Sequence, residues 1–399
     1  CVKMNPTIAL KFTPKIFSLL FSDTNLQGNN NSDSEYEEEE EEEITKVTSN
    51  ETKKMIELFR ENYIKTSPSV WLFHIPQIIS MLGTEFNDLM NELLIYISTD
   101  YLQDVAHTVV SSLRNGKKQC EDIINKLTIK NPTVINEVTM FSGELIRIAS
   151  CWYEIFNSWL EASRNYVEPN ERDKFEKILS EIQQFFSQKP TTLIDLQFVS
   201  EYGPLLSKSE ELYQKYLKTK DELYIHQIWT AYVEMFQKVR TKIEGFTNFN
   251  VADVSPWLAT KLQNSSLTVP FCSDEVKIQK FTEKIPIIPS KQRPRKIGIV
   301  GSNGINYTFL LKANEDTRLD ERIMQFFTLY NSLVDFQIHS HSHKKINKYG
   351  KKVSFYINDK KNVKISENSF DENSLAINTY GIRPLSNNVG LIGWVSGCK

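Results

Sequence analysis

The sequence predicts an α+β multidomain protein: an α-helical solenoid end, then a four-helix bundle, then a lobe made of an antiparallel sheet plus a helix. Three observations predict this. Apolar residues recur every three or four positions from residue 51 to about 243, which is the spacing of amphipathic helices. After residue 246 the pattern changes to short β-branched runs between turns. The 399 residues also exceed what one hydrophobic core usually serves, so several domains are expected.

Charge and cysteine content exclude several classes of function. The chain has 47 Lys and Arg against 50 Asp and Glu, a net charge of −3, so no overall positive field draws it to nucleic acid or to an acidic membrane. Its five cysteines are odd in number and lack CxxC spacing, which is typical of a reducing compartment and predicts no zinc site. The sequence shows no signal peptide and no apolar run of transmembrane length. We therefore expect a cytoplasmic chain with no nucleic-acid partner, no transmembrane segment and no bound metal of its own.

The N-terminal part divides into three segments. Residues 1–23 carry apolar side chains at helical spacing and predict a helical segment. Residues 24–48 include seven consecutive glutamates at 37–43, which repel one another and bury nothing, so a disordered acidic loop is expected. Residues 49–143 predict short helices joined by short turns, which is typical of the end of an α-solenoid. The breaks between these helices fall at turn-forming residues: Ser67-Pro68, Gly83, Asn115-Gly116 and Asn131-Pro132.

Residues 144–245 predict the four-helix bundle. The first of its helices is expected to run from residue 134 to about 166, and the last from 222 to about 242. Along the last helix the apolar residues form one stripe that would face the other helices. Four helices with short connections can pack as a bundle.

Residues 246–399 predict the sheet-containing lobe. Two runs at 296–300 and 305–311 are joined by Gly301-Ser-Asn-Gly304, and Asn-Gly accepts the backbone conformation of a tight hairpin turn. Lys312 closes the second strand, and carboxylates follow it before an amphipathic helix begins. A lysine at a strand end with a nearby carboxylate is the arrangement by which kinases hold nucleotide phosphates. The same residues also fit an edge hairpin with a solvated charge cluster, so the pattern alone leaves both interpretations open.

Several motifs together resemble the target-of-rapamycin kinases, within the phosphatidylinositol-3-kinase-related protein kinases. In the lobe they are SKQRPRK at 290–296, GSNG at 301–304, FLLK at 309–312, EDxRxDERxMQ at 315–325 and YGIRPLSNNVGLIGWV at 380–395. In the bundle, residues 144–166 and 225–243 resemble the rapamycin-binding module that precedes the kinase domain of the family. The resemblance covers roughly 50–335 and 377–399, and it implies that 49–143 is the end of the helical FAT region. An insertion at 336–371 is longer than the family normally has.

The resemblance implies that the lobe is a kinase N-lobe, up to the hinge, with an ATP site. Lys312 would contact the α- and β-phosphates, with Glu315 as its partner and Asp320 as a second carboxylate lining the pocket. A basic loop would cover the phosphates through Ser290 and the cations Lys291, Arg293, Arg295 and Lys296. The hinge would present main-chain groups of Gly393 and Val395 to the adenine. The implied ATP-binding residues are Ile288, Ser290, Gln292, Leu310, Lys312, Glu315, Asp320, Tyr380, Gly393, Trp394 and Val395.

Mg²⁺ is implied as a second cofactor, but the family holds it, together with the catalytic aspartate, in the C-lobe. Because the chain stops a few residues past the hinge, we expect it to be a fragment with no catalytic residue of its own. Residues 1–399 alone are therefore expected to transfer no phosphate.

For the bundle, the resemblance implies a shallow apolar cleft that binds an immunophilin–rapamycin complex and helps to admit protein substrates. Ser163, Trp229 and Phe236 match cleft positions. The family usually has aromatic residues where this chain has Val167 and Val233, which predicts a shallower cleft and puts rapamycin sensitivity in doubt.

The implied function is that of a serine/threonine protein kinase in nutrient and growth signalling. It would transfer the γ-phosphate of ATP to protein substrates, within a large complex of accessory subunits that could recruit it to endomembranes. Two alternatives stay open at this stage. One is a phosphoinositide lipid kinase, which shares the N-lobe fold and the lysine; the other is a non-catalytic helical scaffold with a degenerate kinase lobe.

Overall fold

A computed structural model describes residues 6–20, 53–163, 172–260, 265–272, 275–341 and 376–397. The predicted acidic loop at 24–48 lies outside the described residues, as does the insertion beyond residue 341. Residues 336–341, where that insertion was expected to begin, are the end of a helix.

Helices fill the first two thirds of the described chain, and strands follow. The helices are α1 (Pro6–Leu20), α2 (53–63), α3 (Ser69–Leu72), α4 (Ile75–Ser80), α5 (Asn87–Ile97), α6 (Leu102–Arg114), α7 (Cys120–Lys130), α8 (Pro132–Ala149), α9 (Trp152–Ser163), α10 (Arg172–Phe186), α11 (Leu193–Thr219), α12 (Glu222–Glu244), α13 (Val251–Val254), α14 (Pro256–Thr260) and α15 (Arg318–His341). The strands are β1 (Asn248–Asn250), β2 (Ile278–Phe281), β3 (Lys284–Pro286), β4 (Arg295–Gly301), β5 (Asn306–Ala313), β6 (Ile382–Ser386) and β7 (Val389–Gly393). This order confirms the predicted α+β class.

The predicted breaks in the N-terminal helical region all fall between helices. The clearest is at Asn131-Pro132: Pro132 occupies the first position of α8, where no backbone donor is needed, and the Asn131 side chain accepts a hydrogen bond from the Val134 amide at 3.2 Å. Helices α6, α7 and α8 pack against one another around fully buried side chains such as Val109, Ile123 and Val138. The solenoid-like end therefore extends through α8.

The bundle consists of α9, α10, α11 and α12. The expectation that its first helix runs unbroken from residue 134 to about 166 is wrong, because the chain is extended at Ser150 between α8 and α9. A new helix start is stabilised there: Glu154, in the first turn of α9, accepts a hydrogen bond from the Cys151 amide at 3.1 Å, as the acidic residue of a capping box does. Aromatic rings fill the bundle interior, where Phe156 packs edge-on against Tyr232 with centroids 5.6 Å apart.

The lobe contains a five-stranded antiparallel sheet with strand order β2-β4-β5-β7-β6, and a separate β1–β3 pair. The predicted hairpin is present as β4 and β5, with Arg295 opposite Leu311 and Val300 opposite Asn306. Gly304 closes its turn with a φ of 75°, a conformation that favours glycine. Residues Ile297, Ile299 and Leu311 are fully buried and form the core of the sheet.

The sheet packs directly on the helical region rather than standing apart from it. Arg383 of β6 forms an ion pair with Asp104 of α6 at 2.8 Å, and Phe141 of α8 packs against Phe281 of β2 with centroids 6.2 Å apart. Ser255 donates to the buried carboxylate of Glu144 at 2.6 Å. These contacts fix the lobe against α6 and α8. No helix in the described part of the chain is long and apolar enough to cross a membrane.

Candidate nucleotide site and bundle surface

Strand β5 carries Lys312 into a cleft beside the sheet. Lys312 lies opposite Gly390 of β7, and a Cβ atom at Gly390 would lie 2.1 Å from the hydroxyl of Thr317. Only glycine fits at this position, because the buried Thr317, just before α15, packs directly on the strand. The start of α15 is thereby held next to Lys312.

The ammonium of Lys312 has a carboxylate partner. Its Nζ atom lies 3.0 Å from Oε2 of Glu315, and the two side chains are 29% and 34% exposed. The Glu315 amide in turn donates to the Asn388 carbonyl at 3.3 Å, which fixes the segment between β5 and α15. The structure thus brings together the lysine and the carboxylate that the sequence paired, within reach of solvent.

The cleft has a volume of about 1520 Å³ and is bounded by the sheet, α15 and the helices α4 and α6. Seven of the eleven predicted ATP-binding residues line it, namely Ile288, Leu310, Lys312, Tyr380, Gly393, Trp394 and Val395. Arg318, Arg322 and Arg383 line it as well as Lys312, so the cleft combines apolar walls with several cations, which fits the base and the phosphates of a nucleotide. Two of the hinge amides are used within the lobe: Gly393 donates to the Gly381 carbonyl at 2.8 Å and Trp394 to the Thr308 carbonyl at 3.2 Å.

Trp394 has a neighbour that the sequence did not assign to it. The Lys296 ammonium lies 4.6 Å from the centroid of the Trp394 ring, within the range of a cation–π interaction. The family resemblance implied that Lys296 is one of the cations over the phosphates. In the structure it lies over the indole instead, where it orients one wall of the cleft.

The basic loop differs from the expectation. Ser290 and Gln292 are exposed and are not among the residues that line the cleft. Arg293 and Arg295 were expected to raise the positive potential over the phosphates, but both side chains bind the helical region. Arg293 donates to the Ile243 and Phe246 carbonyls, at and just beyond the end of α12, and Arg295 forms an ion pair with Glu154 of α9. The Glu154 carboxylate neutralises part of their charge, and main-chain carbonyls accept hydrogen bonds from their N–H groups. The prediction that these two arginines raise the positive potential over the phosphates is therefore wrong.

On α15, the carboxylate that lines the cleft is that of Glu321 rather than that of the predicted Asp320. Successive helical residues point about 100° apart, so these two neighbouring carboxylates do not face the same side of the helix. Burial raises the pKa of Glu321 to about 7, although the nearby Arg322 and Arg383 act in the opposite direction. Its spacing from Gln325 and Thr328, which also line the cleft, is the sequence signal that could have identified it.

The three predicted bundle residues lie on the first and last helices. Ser163 of α9 is buried and donates to the Leu160 carbonyl at 2.9 Å, and Phe236 of α12 is also buried. Trp229 is partly exposed and packs edge-on against Phe175 of α10, with centroids 5.5 Å apart. Of the three, Trp229 is the side chain that presents apolar surface to solvent.

The fold and cleft define a class: a five-stranded, kinase-type N-lobe fixed to a helical region and a four-helix bundle. Its Lys312 lines a large cleft and is paired with Glu315, which is not among the lining residues. Comparison with known proteins agrees with this. The family model described as the FKBP12-rapamycin binding domain matches residues 144–241. The chain is 31% identical over 343 residues to the serine/threonine-protein kinase mTor of Drosophila melanogaster, and 29% identical over 341 residues to the serine/threonine-protein kinase TOR of Oryza sativa.

Those alignments cover 83% and 82% of this chain, and 13% of each relative, so the chain spans about an eighth of the length of the curated relatives that it matches. A solved structure, the open conformation of CtTel1, is 13% identical to this chain with a TM-score of 0.45, over 92% of this chain and 10% of its own. Together the family-model match and the two kinase alignments support a segment of a target-of-rapamycin or related kinase around its rapamycin-binding domain.

Proposed function

We propose that this chain supplies the ATP-binding lobe and the rapamycin-binding bundle of a serine/threonine protein kinase. The observation that carries the proposal is that Lys312 lines the same cleft as Leu310 and Trp394 and is held by Glu315, whose Oε2 atom lies 3.0 Å from the ammonium. The curated relatives are named serine/threonine-protein kinases, which supports the same reaction class.

Different residues of the cleft would contact different parts of the nucleotide. Leu310, Ile288 and Trp394 form apolar walls between which an adenine ring fits. The Lys312 ammonium is a compact positive charge for the α- and β-phosphates, and Glu315 holds it in place before the nucleotide arrives. When bound, Mg²⁺ would neutralise phosphate charge. Among the described residues no cluster of three metal-type ligands occurs, so we assign it no ligand in this part of the chain.

ATP binding to the 399-residue chain tests the proposal. We expect calorimetry to detect binding, and the Lys312→Met substitution to weaken it by at least about tenfold, since a hydrogen bond to a charged group contributes roughly 1.5–3 kcal/mol. Lys284→Met is the matched control, because Lys284 is exposed on β3 and does not line the cleft. Equal affinity of the unsubstituted and Lys312→Met chains would exclude this site.

We also propose that the bundle binds an immunophilin–rapamycin complex through a surface that includes Ser163, Trp229 and Phe236. The match of residues 144–241 to the FKBP12-rapamycin binding domain supports this, as does the partly exposed indole of Trp229. Because Ser163 and Phe236 are buried, Trp229 would make the main contact. Titration with FKBP12 and rapamycin should show weaker complex formation for Trp229→Ala than for Trp159→Ala, a tryptophan that packs on Phe185 in the bundle. Equal weakening by both variants would argue against a specific contact.

The finer parts of the proposal rest on the family resemblance. They are a role in nutrient and growth signalling, gating of protein substrates by the bundle, assembly with accessory subunits, and a cytoplasmic location with recruitment to endomembranes through partners. Co-purification of the native protein from cytosolic and membrane fractions, followed by identification of bound subunits, would test assembly and location together.

A further inference from the structure

The loop between β3 and β4 is closed on itself before it reaches the sheet. The Ile288 amide donates to the Pro294 carbonyl at 2.9 Å, and the Arg293 amide donates to the Ser290 carbonyl at 3.2 Å. Arg293 has a φ of 49°, in the left-handed region that non-glycine residues seldom occupy. Such a conformation persists only where surrounding contacts impose it.

Those contacts come from the bundle. Arg293 Nη2 donates to the carbonyl of Ile243, in the last turn of α12, at 2.9 Å, and to that of Phe246, two residues beyond the helix, at 2.8 Å. Cations are stabilised at that end of a helix because the terminal carbonyls lack intrahelical partners. Arg293 Nε also lies 3.5 Å from Oε1 of Glu154. The loop is therefore tied to the last bundle helix and to the first.

Arg295 makes the second connection. Its side chain is 1% exposed, donates to the Ile148 carbonyl at 3.3 Å and to the Arg293 carbonyl, and pairs with Oε2 of Glu154. The same Glu154 oxygen accepts the Cys151 amide that starts α9. One carboxylate on α9 thus binds both arginines of the loop and fixes the helix start. We call Glu154, Arg293 and Arg295 the arginine latch.

The arginine latch is directly connected to the cleft wall through the register of the sheet. Arg295 is opposite Leu311, and the next residue, Lys296, is opposite Leu310, which lines the cleft. Lys296 in turn lies over Trp394. The tip of the loop, at 290–292, is exposed, so its position depends on the closing bond at Ile288 and on the latch.

We propose that Glu154 is a positioning residue for nucleotide binding: through Arg293 and Arg295 it holds the loop at 288–295 in the conformation that completes the cleft. The proposal rests on the proposed ATP-binding function. Without the arginine latch the loop samples other conformations. The affinity for ATP is then multiplied by the fraction of molecules whose loop is in the binding-competent conformation. In this arrangement the two arginines contact the bundle, while Lys312 contacts the phosphates.

The test uses the 399-residue chain with Glu154→Gln, which keeps the side-chain shape and an acceptor for the Cys151 amide but removes the charge. Glu176→Gln is the matched control: Glu176 bridges the Tyr216 hydroxyl and Lys220 within the bundle, at a distance of 3.6 Å from the Lys220 ammonium. ATP affinity is measured by calorimetry, and amide hydrogen exchange is followed at Ile288 and Arg293. Both are measured at a temperature where circular dichroism shows every variant folded.

For Glu154→Gln we expect ATP binding to weaken about 5- to 10-fold, which requires the competent loop to be populated in only about 10–20% of molecules. The Ile288 and Arg293 amides should then lose most of their protection from exchange. Glu176→Gln should leave both quantities unchanged. Arg293→Gln, at a less buried position, should reproduce the effect, and adding it to Glu154→Gln should weaken binding less than the product of the two single effects, because both remove the same contact.

Unchanged ATP affinity in Glu154→Gln, alongside lost affinity in Lys312→Met, would overturn the positioning role and leave the proposed function intact. Equal shifts in Glu154→Gln and Glu176→Gln would also overturn it, because they would show a general effect of weakening the bundle. Absence of ATP binding by the unsubstituted chain would instead overturn the proposed function, and the role of Glu154 in nucleotide binding with it.

Discussion

Two ion pairs lie at the same end of the β4–β5 hairpin, on opposite faces of the sheet, and they differ in nearly every physical respect. Lys312 and Glu315 are three residues apart, and about a third of each side chain is exposed. Arg295 and Glu154 are 141 residues apart, and their side chains are 1% and 13% exposed. Adjacent strand positions face opposite sides of a sheet, so the side chain of Leu311 lies in the buried core while that of Lys312 faces the open cleft. The exposed pair can receive a ligand, whereas the buried pair holds two domains together.

The strongest way to break this comparison is Arg295→Met. Removing one partner of a buried pair leaves the other charge uncompensated, which typically lowers the free energy of unfolding by roughly 3–5 kcal/mol. Here the substitution also removes donors to the Ile148 and Arg293 carbonyls. We expect a large fall in the denaturant midpoint of the lobe transition, measured by circular dichroism and by tryptophan fluorescence.

Arg318→Met is the control for that experiment. Arg318 also pairs with a carboxylate, Asp316 at 2.6 Å, but the two side chains are 51% and 46% exposed. Exposed pairs contribute about 0–1 kcal/mol, so its midpoint should barely move. Similar midpoints for the two variants would mean that burial does not distinguish these pairs.

Glu321 offers an intermediate case, a partly buried carboxylate that lines the cleft with Arg322 and Arg383 nearby. Burial raises its pKa to about 7, above the ordinary value of 4.5. A carboxyl whose folded-state pKa is raised favours the folded state in its protonated form. Its contribution is therefore fully present below about pH 4.5 and is lost as pH rises through about 7. At pH 8, Glu321→Gln should be more stable than the unsubstituted chain, by on the order of 2 kcal/mol.

The difference in the free energy of unfolding between Glu321→Gln and the unsubstituted chain should shrink as pH falls and vanish near pH 4.5. Burial lowers the pKa of His74 to about 4, which has the opposite effect on stability, but His74 is present in both chains and cancels in the difference. Urea midpoints of both chains from pH 4.5 to 8 provide the measurement. A stability difference that does not depend on pH would contradict a raised pKa at Glu321.

Sequence reasoning predicted the elements whose partners are near in sequence. The β4–β5 hairpin depends on a turn of four residues and follows from local pattern. The local pattern also placed carboxylates just after Lys312, and the family resemblance selected Glu315, three positions on, as the partner. The helices and their breaks follow from spacing and from residues such as Pro132. Seven of the eleven implied nucleotide residues line the cleft because they are carried by regular strands and by the segments that end them.

The features that sequence reasoning could not predict depend on contacts between residues that are far apart in the sequence. Arg293 and Arg295 look like phosphate ligands in a basic motif, and only the packing of the lobe on α9 and α12 shows that they bind Glu154 and helix carbonyls. The same packing explains the break before α9, which hydrophobic spacing alone does not reveal. On α15, the family resemblance implied Asp320 as a cleft carboxylate, and only the packing of the helix shows that Glu321 lines the cleft.

The smallest expected effect on stability is that of Lys312→Met, and it sharpens the comparison most. Because both side chains of the Lys312–Glu315 pair keep about a third of their surface in solvent, water screens their attraction, and side-chain ordering offsets most of what remains. The free energy of unfolding should change by less than about 1 kcal/mol. Denaturant midpoints of this variant and of Lys284→Met should therefore coincide, although only Lys312→Met loses affinity for ATP. A fall of several kcal/mol would instead make Lys312 a structural residue like Arg295, since a group kept for a ligand is expected to be nearly neutral in the ligand-free fold.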